Sequence, residues 1–548
     1  MNSRLVRIAL IAVCVSLYLP VLNQHLLSDD MAVSYALSEW ARHGELWPRL
    51  WSKYATGLDS PSFYYRPLTF LSFGINFALA EVRPFGWHVV NLAGHLMAGV
   101  AVFRIASLLQ GSADASPRSS AVAWPSAAMI LFLLWGTNVE AVAWVSGRYD
   151  VFATAFALWA VAWHLRSEST LDRHAQIALL LGVLALCSKE SAAVLPGLIG
   201  CVAWIRRGLL PRAVRWRSIV ADLLPWIALI SSYFALRFTI FGSAYQVYPD
   251  AQPLQRIVGG EWLAALTGAL PWLAAALPSP SALQVAAVLL AVIVLAGLAS
   301  AARGLALRRV SIGLALAMAW TLALLLPHLS GLSVRGEGGR LFYTTGAWLA
   351  LWVALPLSAV DKGSHSRAPS RLLSAALIVF VVAQAVLLHA AIADWIRAGS
   401  QMQQLVFALR DLDRSLDGDR YAFVFAPDAI GAAPFARNAN GAMVLPPVQP
   451  KPLLKRMLVF RPSESAEIPA LVNRRLIPVL KTHPLDDVEK NLGAAEPAAD
   501  PTTLWPTDVM CWRIDTAALV PVAMTEPWRD AAHWATAVRD GLRLAGCE

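Results

Sequence analysis

The amino-acid sequence predicts an all-α polytopic membrane protein with about eleven transmembrane helices, followed by a small C-terminal α+β domain. The 548 residues are 57% hydrophobic and only 15% charged, and the mean hydropathy is +0.54, above the usual balance of a soluble domain. Apolar runs of about 17 to 25 residues, long enough to cross a bilayer, recur along the chain. The net charge of +9 comes from short basic clusters between these runs. Such clusters orient membrane helices and do not favour a nucleic-acid partner.

The first apolar run, within residues 1–22, follows two arginines, Arg4 and Arg7. This pattern fits both a signal peptide and a membrane anchor. No small-residue cleavage site occurs in YLPVLNQH, which favours an uncleaved anchor. A first outer loop then covers residues 23–85. Within it, RPLTFLSFGINFALAEV is apolar but short, so we expect a helix lying at the membrane interface.

Ten further spans are predicted between short polar connectors. They lie near residues 84–104, 121–136, 151–165, 175–187, 192–205, 219–240, 283–300, 310–327, 341–358 and 372–393. The connector RRGLLPRAVRWR is the most basic and marks the cytoplasmic side. Segment 262–277 is ambiguous: counted as a span, it would place Arg303, Arg308 and Arg309 outside. We therefore interpret it as interfacial or re-entrant.

The last span divides a membrane domain, residues 1–393, from an extracytoplasmic tail, residues 394–548. The tail is richer in charge and proline, and it contains strand-like YAFVFA and DVMCWRI and helix-like AAHWATAVRDGLRL. No repeat of roughly 20 to 50 residues occurs in it. Cys511 and Cys547 lie in this tail, and the sequence leaves open whether they pair.

Asp29 and Asp30 follow the first run and precede the helical segment MAVSYALSEWA. Because aspartate is favoured at helix starts, the simplest interpretation is a pair of capping acids. Other ionisable groups are predicted on the same outer face. They are Glu140, Arg148, Asp150, Lys189, Glu190, Arg237 and Arg340. Such groups are costly near a membrane and usually functional, and cations at one depth indicate an anionic headgroup.

Each of these residues also has a purely structural explanation. Arg148 and Asp150 can form an ion pair, and Lys189 can extend to the membrane interface. His88 and His95 lie seven residues apart on one helix, which favours packing or hydrogen bonding over metal binding. Zinc-ligand spacing, a P-loop and a GxSxG elbow are all absent from the sequence, which excludes these soluble-enzyme motifs.

Six segments in order carry a family resemblance. They are FYYRPLTFLSFGINFAL, PFGWHVVNLAGHL, NVEAVAWVSGRYDVFATAFAL, LCSKESAAVLP, YFALRFTIFG and GRLFYTTGAWLAL. Together they resemble the membrane half of the GT-C glycosyltransferases, over about residues 20–355. The similarity is greatest to the transmembrane O-mannosyltransferases that carry tetratricopeptide repeats, and more distant to protein O-mannosyltransferases and the bacterial aminoarabinose transferase of lipid A. It lapses in the tail.

The resemblance implies a sugar donor on a polyprenyl phosphate, a reaction on the outer face and a catalytic base in the first outer loop. The acidic pair of the family matches Asp29 and Asp30, with Asp29 aligned to the base. The residues expected to bind the donor phosphate and sugar are Arg66, Glu140, Arg148, Asp150, Lys189, Glu190, Arg237, Arg340 and Tyr343. GRLFYTT lacks the family's Glu before the Arg and its Pro, so Arg340 departs from the pattern.

The chemistry agrees with this resemblance. A carboxylate can take the acceptor's hydroxyl proton, and Arg148, Lys189, Arg237 or Arg340 can stabilise the leaving phosphate. A single base and no covalent sugar–enzyme intermediate predict that the configuration at the anomeric carbon is inverted. Because the phosphate is already activated, no cofactor is required and no metal ligands are predicted, although a divalent ion near the acids is left open.

The sequence therefore predicts a GT-C glycosyltransferase whose partners are a polyprenyl-phosphate-linked sugar, an envelope acceptor and the lipid bilayer. Few lysines and many alanines, arginines and leucines favour a bacterial source. We expect an inner-membrane protein whose active site and tail face the periplasm. Two alternatives stay open. A transporter or flippase of lipid-linked sugars predicts polar groups near the membrane midplane and two related halves, and an envelope scaffold predicts dispensable outer-loop acids.

Overall fold

The computed structural model describes most of the chain in two compact units. The described residues are 3–51, 64–113, 123–170, 172–207, 212–242, 305–325, 339–359, 368–417, 420–439, 441–466, 508–523 and 531–547. The first unit comprises Met1–Leu22, Pro48–Ile75 and Phe85–Ala393, and the second comprises Asn23–Trp47, Asn76–Pro84 and Asp394–Glu548.

Helices dominate the described residues. They are α1 (Ser3–Tyr18), α2 (Asp29–Arg42), α3 (Leu46–Arg49), α4 (Pro67–Ala80), α5 (Pro84–Ala113), α6 (Ala123–Leu133), α7 (Val139–Ala143), α8 (Arg148–His164), α9 (Arg173–Leu186), α10 (Leu195–Arg207), α11 (Arg212–Phe241), α12 (Leu305–Leu325), α13 (Tyr343–Ala354), α14 (Ala368–Ser415) and α15 (Ala531–Leu544). Single 3-10 turns join several of them. The strands are β1 (Ala422–Phe425), β2 (Ala429–Ile430), β3 (Ala433–Pro434), β4 (Met457–Phe460), β5 (Asp508–Arg513) and β6 (Ala518–Pro521).

Four described helices are long and apolar enough to cross a membrane, so the chain is an integral membrane protein. They cover Pro84–Gln110, Trp216–Phe241, Gly339–Ser358 and Ser374–Ser415. A fifth candidate is the pair Trp124–Leu133 and Gly136–Ala143, which is bent by 48°. Four of the predicted spans fall on the shorter or more charged helices α8, α9, α10 and α12. The predicted span 283–300 and the segment 262–277 lie outside the described residues, and the total of eleven spans stays a prediction.

Helix α14 differs from the predicted last span in where it ends. We expected the helix to stop at residue 393, but it continues to Ser415. Beyond residue 393 the buried apolar residues recur at helical spacing, as at Trp395, Met402 and Leu409. No proline interrupts them, so the amphipathic pattern propagates the helix.

The second unit contains a mixed four-stranded sheet in the order β4-β1-β5-β6. Strand β1 is parallel to β4 and β5, and β6 is antiparallel to β5. All four residues of β1 are buried, as expected of a central parallel strand covered on both faces. Phe423, Phe460, Trp534 and Val538 contribute to its core. The predicted strands YAFVFA and DVMCWRI and the predicted helix at the C-terminal end are confirmed.

Cys511 and Cys547 form a disulfide bond, which resolves the pairing that the sequence left open. It joins β5 to the residue three positions beyond α15 and closes a loop with a sequence separation of 36 residues. Cys14, Cys187 and Cys201 are free. Since a crosslink restricts the unfolded chain, the disulfide stabilises the packing of α15 on the sheet.

We expect Cys511→Ala to destabilise the sheet by about 3–4 kcal/mol because the unfolded loop regains its conformational freedom. The measurement is the temperature at which protease cleaves within residues 394–548 of the full-length protein in detergent, read by mass spectrometry. Reducing agent should lower this temperature for the parent protein equally, whereas Cys201→Ala should leave it unchanged. An unaltered cleavage temperature in Cys511→Ala would contradict the prediction.

Candidate active site

Three ion pairs in the first unit join six of the predicted site residues. The pairs are Arg66 with Glu190, Lys189 with Asp150, and Arg340 with Glu140, with N to O distances of 2.5, 2.6 and 3.0 Å. Lys189 also interacts electrostatically with Arg66, Arg340 and Glu190. The three pairs therefore belong to one charged network, referred to below as the ion-pair network.

Arg66 is held rigidly at the start of α4. Its guanidinium donates from Nε to Oε2 of Glu190 at 2.9 Å and from Nη2 to Oε1 at 2.5 Å, a two-point contact that sets its orientation. The guanidinium lies over the rings of Tyr64 and Tyr149, at 4.2 and 4.7 Å from their centres. Pro67 begins the helix and Glu190 begins a 3-10 turn, so two helix starts position this pair.

Lys189 and Asp150 are the most enclosed of the three pairs. Nζ of Lys189 donates to Oδ1 of Asp150 at 2.6 Å, and the side chains are only 13% and 10% exposed. Asp150 lies in the first turn of α8, where the helix dipole favours a negative charge. Because little water reaches either charge, each side chain keeps the other as its main partner, which fixes the geometry of the pair.

Arg340 is the most exposed cation of the ion-pair network, at 33%. Its Nη1 donates to Oε1 of Glu140 at 3.0 Å, and its backbone N donates to Oε2 of the same carboxylate at 3.2 Å. The guanidinium lies 4.4 Å from the ring centre of Trp144. Glu140 thus fixes the backbone of the Arg340 segment as well as its side chain.

Arg148 is fully buried at the start of α8 and bonds protein groups from α4 and α5. It donates from Nε to Oδ1 of Asn91 at 2.8 Å, from Nη1 to Oγ of Ser72 at 3.1 Å and from Nη2 to the carbonyl of Trp87 at 2.7 Å. A Cβ on Gly147 would lie 2.4 Å from a backbone oxygen of α7, so only glycine permits this close approach. Arg148 therefore ties three helices together.

Tyr343 is also fully buried and directly follows the 3-10 turn Gly339–Phe342, which carries Arg340. Its hydroxyl lies 2.7 Å from Nδ1 of His95, whose Nε2 lies 3.1 Å from the carbonyl of Leu133. Because a carbonyl only accepts, Nε2 carries the proton and Nδ1 accepts from the Tyr343 hydroxyl. The predicted hydrogen-bonding role of His95 is thus confirmed, and Tyr343 anchors the segment that carries Arg340.

Arg237 lies near the end of α11 and is almost completely buried. Its guanidinium is 5.9 and 5.8 Å from the ring centres of Tyr233 and Phe241. Tyr233 interacts electrostatically with Arg237, Glu190 and Arg66. Arg237 is thereby linked to the ion-pair network through an aromatic residue that sequence reasoning missed, because Tyr233 reads as an ordinary residue of an apolar helix.

Asp29 and Asp30, in the second unit, differ in their surroundings although both lie in the first turn of α2. Asp30 is buried, and its Oδ2 accepts from the backbone N of Leu27 at 3.3 Å. Asp29 is partly exposed, and its Oδ1 accepts from Nδ2 of Asn438 at 2.8 Å. Asp30 therefore bonds a backbone N–H that precedes the helix, whereas the Asp29 carboxylate can be reached from solvent.

The described ranges contain no group of three or more His, Cys, Asp or Glu residues placed to hold a metal ion. The ion-pair network nevertheless contains as many carboxylates as cations in its three pairs. Each cation of these pairs is therefore held in a fixed orientation by a carboxylate, and the charges of the three pairs balance.

Comparisons with known proteins give partial matches. No family model matches the chain. Protein O-mannosyl-transferase F38B6.6 of Caenorhabditis elegans is 26% identical over 178 residues, 32% of this chain and 23% of that protein. Human protein O-mannosyl-transferase TMTC3 is 30% identical over 135 residues, 24% of this chain and 14% of that protein. Human protein O-mannosyl-transferase TMTC4 is 29% identical over 175 residues, 28% of this chain and 23% of that protein. This chain thus spans about a quarter or less of their length, and the predicted resemblance to O-mannosyltransferases is confirmed over that part.

Two solved structures are also similar. ArnT from Cupriavidus metallidurans bound to undecaprenyl phosphate has a TM-score of 0.48 at 12% identity, covering 97% of both chains. The apo state of the same protein has a TM-score of 0.41 at 12% identity, covering 85% of this chain and 90% of the other.

We expect Arg148→Lys to reduce folding because a single ammonium cannot replace the planar guanidinium on three acceptors, and each unsatisfied buried acceptor costs about 1–3 kcal/mol. The measurements are the yield of monodisperse protein and its Tm in detergent. Arg166→Lys is the matched control, since Arg166 is exposed and lies over Trp163. A parent-like Tm with lost donor binding would instead assign Arg148 to the donor, as the sequence predicts.

Proposed function

We propose that the protein is an inverting glycosyltransferase that moves a sugar from a polyprenyl-phosphate donor to an acceptor in the periplasm or cell envelope. The partial similarity to protein O-mannosyl-transferases supports the reaction class. The observation that carries the proposal is the different setting of the two acids, one buried and one partly exposed at the same helix start.

Asp29 is the general base of this proposal. A base must lie within hydrogen-bond reach of the hydroxyl that it deprotonates, and partial exposure allows an acceptor to approach the Asp29 carboxylate. The amide of Asn438 orients that carboxylate from one side. Asp30 has the role of a buried helix-start acid because its carboxylate accepts from the chain itself.

The ion-pair network supplies the positive charge for the donor phosphate. Arg340 is the first candidate for the phosphate because its guanidinium is the most exposed of the three cations. Lys189 and Arg66, which pair with Asp150 and Glu190, add charge, and so does Arg237. A carboxylate partner keeps each cation oriented while the site is empty, and the phosphate then replaces part of that interaction.

Two other predicted residues position the binding groups. Arg148 joins α4, α5 and α8, and Tyr343 supports the turn that carries Arg340. The proposed base belongs to the second unit, and the proposed phosphate-binding residues belong to the first unit.

The reaction is a single displacement. The acceptor oxygen bonds to the anomeric carbon, the bond from that carbon to the phosphate oxygen breaks, and the acceptor proton passes to Asp29. Polyprenyl phosphate leaves with the electron pair and is stabilised by the cations. Attack opposite the leaving group inverts the anomeric carbon. The membrane spans hold the lipid donor, and the proposed location is the bacterial inner membrane with the active site towards the periplasm.

We expect Asp29→Asn to lower kcat by about 10²- to 10⁴-fold, the usual contribution of a positioned base. The donor KM should change little because the carboxylate is not the phosphate-binding group. Asp30→Asn should retain kcat within about 10-fold, since asparagine can still accept from Leu27 through its carbonyl. Purified protein is assayed with a series of polyprenyl-phosphate sugars, and the product's anomeric configuration is read by NMR.

Full turnover in Asp29→Asn would reject the assigned base. Retention of configuration would reject the single displacement. Movement of the lipid-linked sugar across vesicles, with no transfer by the parent protein, would favour a flippase and reject the enzyme.

We expect Arg340→Gln to raise the donor KM by about 10- to 100-fold because it removes a charge-assisted hydrogen bond. Glu140→Gln should raise KM less, since Arg340 keeps its charge and loses only the carboxylate that orients it. Steady-state kinetics over a range of donor concentrations provide the measurement, with Arg166→Gln as control. An equal rise of KM together with an equal fall of Tm in both variants would show that the pair is only structural.

A further inference from the structure

We infer that residues 435–438 of the C-terminal tail position the catalytic base, with Asn438 as the positioning residue for Asp29. This inference rests on the proposed function and extends it. It concerns a segment outside the family resemblance, which lapses in the tail, and it assigns the tail a direct part in the transfer reaction.

The turn that presents Asp29 is strained. Ser28, the residue before it, has a φ of 52° and a ψ of −128°, a conformation that glycine adopts easily and other residues rarely. The backbone N of Asp30 donates to the carbonyl of Leu27 at 3.0 Å and closes the turn. Asp29 occupies the third position of this turn and begins α2. Strained residues of this kind persist only where surrounding contacts hold them.

Those contacts come from residues 435–438. The backbone N of Ser28 donates to the carbonyl of Phe435 at 3.0 Å. The Ser28 hydroxyl donates to the carbonyl of Arg437 at 2.6 Å, and Ser28 is fully buried. Both donors of the strained serine, its backbone N–H and its hydroxyl, thus bond to the main chain of one tail segment, so the direction of the Asp29 side chain depends on that segment.

Asn438 contacts the Asp29 carboxylate directly. Its Nδ2 donates to Oδ1 of Asp29 at 2.8 Å, and a carboxylate at working pH only accepts, which determines the orientation of the amide. The φ of Asn438 is 57°, a region that asparagine tolerates better than most residues. The donated hydrogen bond selects one orientation of the carboxylate.

The same segment is anchored where two parallel strands of the sheet end. Strands β1 and β4 are parallel neighbours, so Asp428 and Arg461, which follow them in the chain, lie at the same end of the sheet. Arg437 donates from Nε to Oδ2 of Asp428 at 3.0 Å, and Arg461 donates from Nη1 to Oδ1 of Asp428 at 3.1 Å. Burial works to raise the pKa of Asp428, but the hydrogen bonds from Arg437 and Arg461 outweigh it and hold the pKa below its usual value.

Glu464 completes this anchor. Its carboxylate accepts from Nε of Arg461 at 2.9 Å, and the backbone N of Phe435 donates to the carbonyl of Asp428 at 2.8 Å. A continuous chain of hydrogen bonds therefore runs from the ends of β1 and β4, through Asp428 and Arg437, to the turn that presents Asp29.

The test distinguishes the effect of the Asn438 side-chain amide from the effect of its backbone conformation. Asn438→Gly removes the amide and accepts a positive φ without strain, and Asn438→Asp keeps the shape but replaces the donor with a like charge. We expect kcat about 10-fold lower in Asn438→Gly, and lower still in Asn438→Asp, with the donor KM unchanged. The Tm of both variants should stay near that of the parent. Ala517→Gly is the matched control, since it relieves a positive φ of 48° elsewhere in the second unit.

A double variant tests whether Asn438 acts through Asp29. Asp29→Asn combined with Asn438→Gly should be no slower than Asp29→Asn alone. Parent-like kcat in both Asn438 variants, while Asp29→Asn remains inactive, would overturn the inference and leave the proposed function standing. Full activity in Asp29→Asn would reject the assigned base itself, which is a distinguishable result.

Discussion

A charge removed from water is destabilising unless an opposite charge accompanies it, and this constraint organises the first unit. Arg66, Lys189 and Arg340 each meet a carboxylate, and the residues involved come from helix starts and short turns. The breaks between helices are therefore the places where the charged groups meet. Because these three cations are already oriented by carboxylates, they fit the proposed role of preorganised donors to a phosphate, the usual basis of electrostatic stabilisation in enzymes.

A different constraint governs the second unit, where backbone strain is balanced by hydrogen bonds. Ser28 holds an unfavourable φ because Phe435 and Arg437 satisfy its polar groups. Because β1 and β4 are parallel neighbours, Asp428 and Arg461, which anchor residues 435–438, lie at the same end of the sheet. The tail is thus coupled to the first turn of α2 through ordinary secondary-structure geometry, and the disulfide adds to its stability.

Sequence reasoning was most accurate where the signal is local. Long apolar runs predicted the helix Pro84–Gln110, and alternating or continuous apolar residues predicted β1 and β5. It was less accurate where packing decides: α14 continues to Ser415, and the connector between the predicted spans 121–136 and 151–165 forms α7 and two 3-10 turns. The resemblance predicts that Arg148 binds the donor, and that stays a prediction; the structure adds that its contacts join helices. Those contacts depend on acceptors from two other helices, a side-chain amide, a hydroxyl and a backbone carbonyl, which no sequence pattern reveals.

The sequence by itself determined the membrane class, most helix positions, the residue types at the candidate site and the resemblance to O-mannosyltransferases. These features depend on composition and on spacing within one element. Only the tertiary structure decided which carboxylate pairs with which cation, that Asp29 is partly exposed and Asp30 buried, and that Asn438 contacts Asp29. Arg66 and Glu190 are 124 residues apart, and Asp29 and Asn438 are 409 apart. Contacts at such separations follow from how whole elements pack, because many residues of suitable type compete for each partner along the chain.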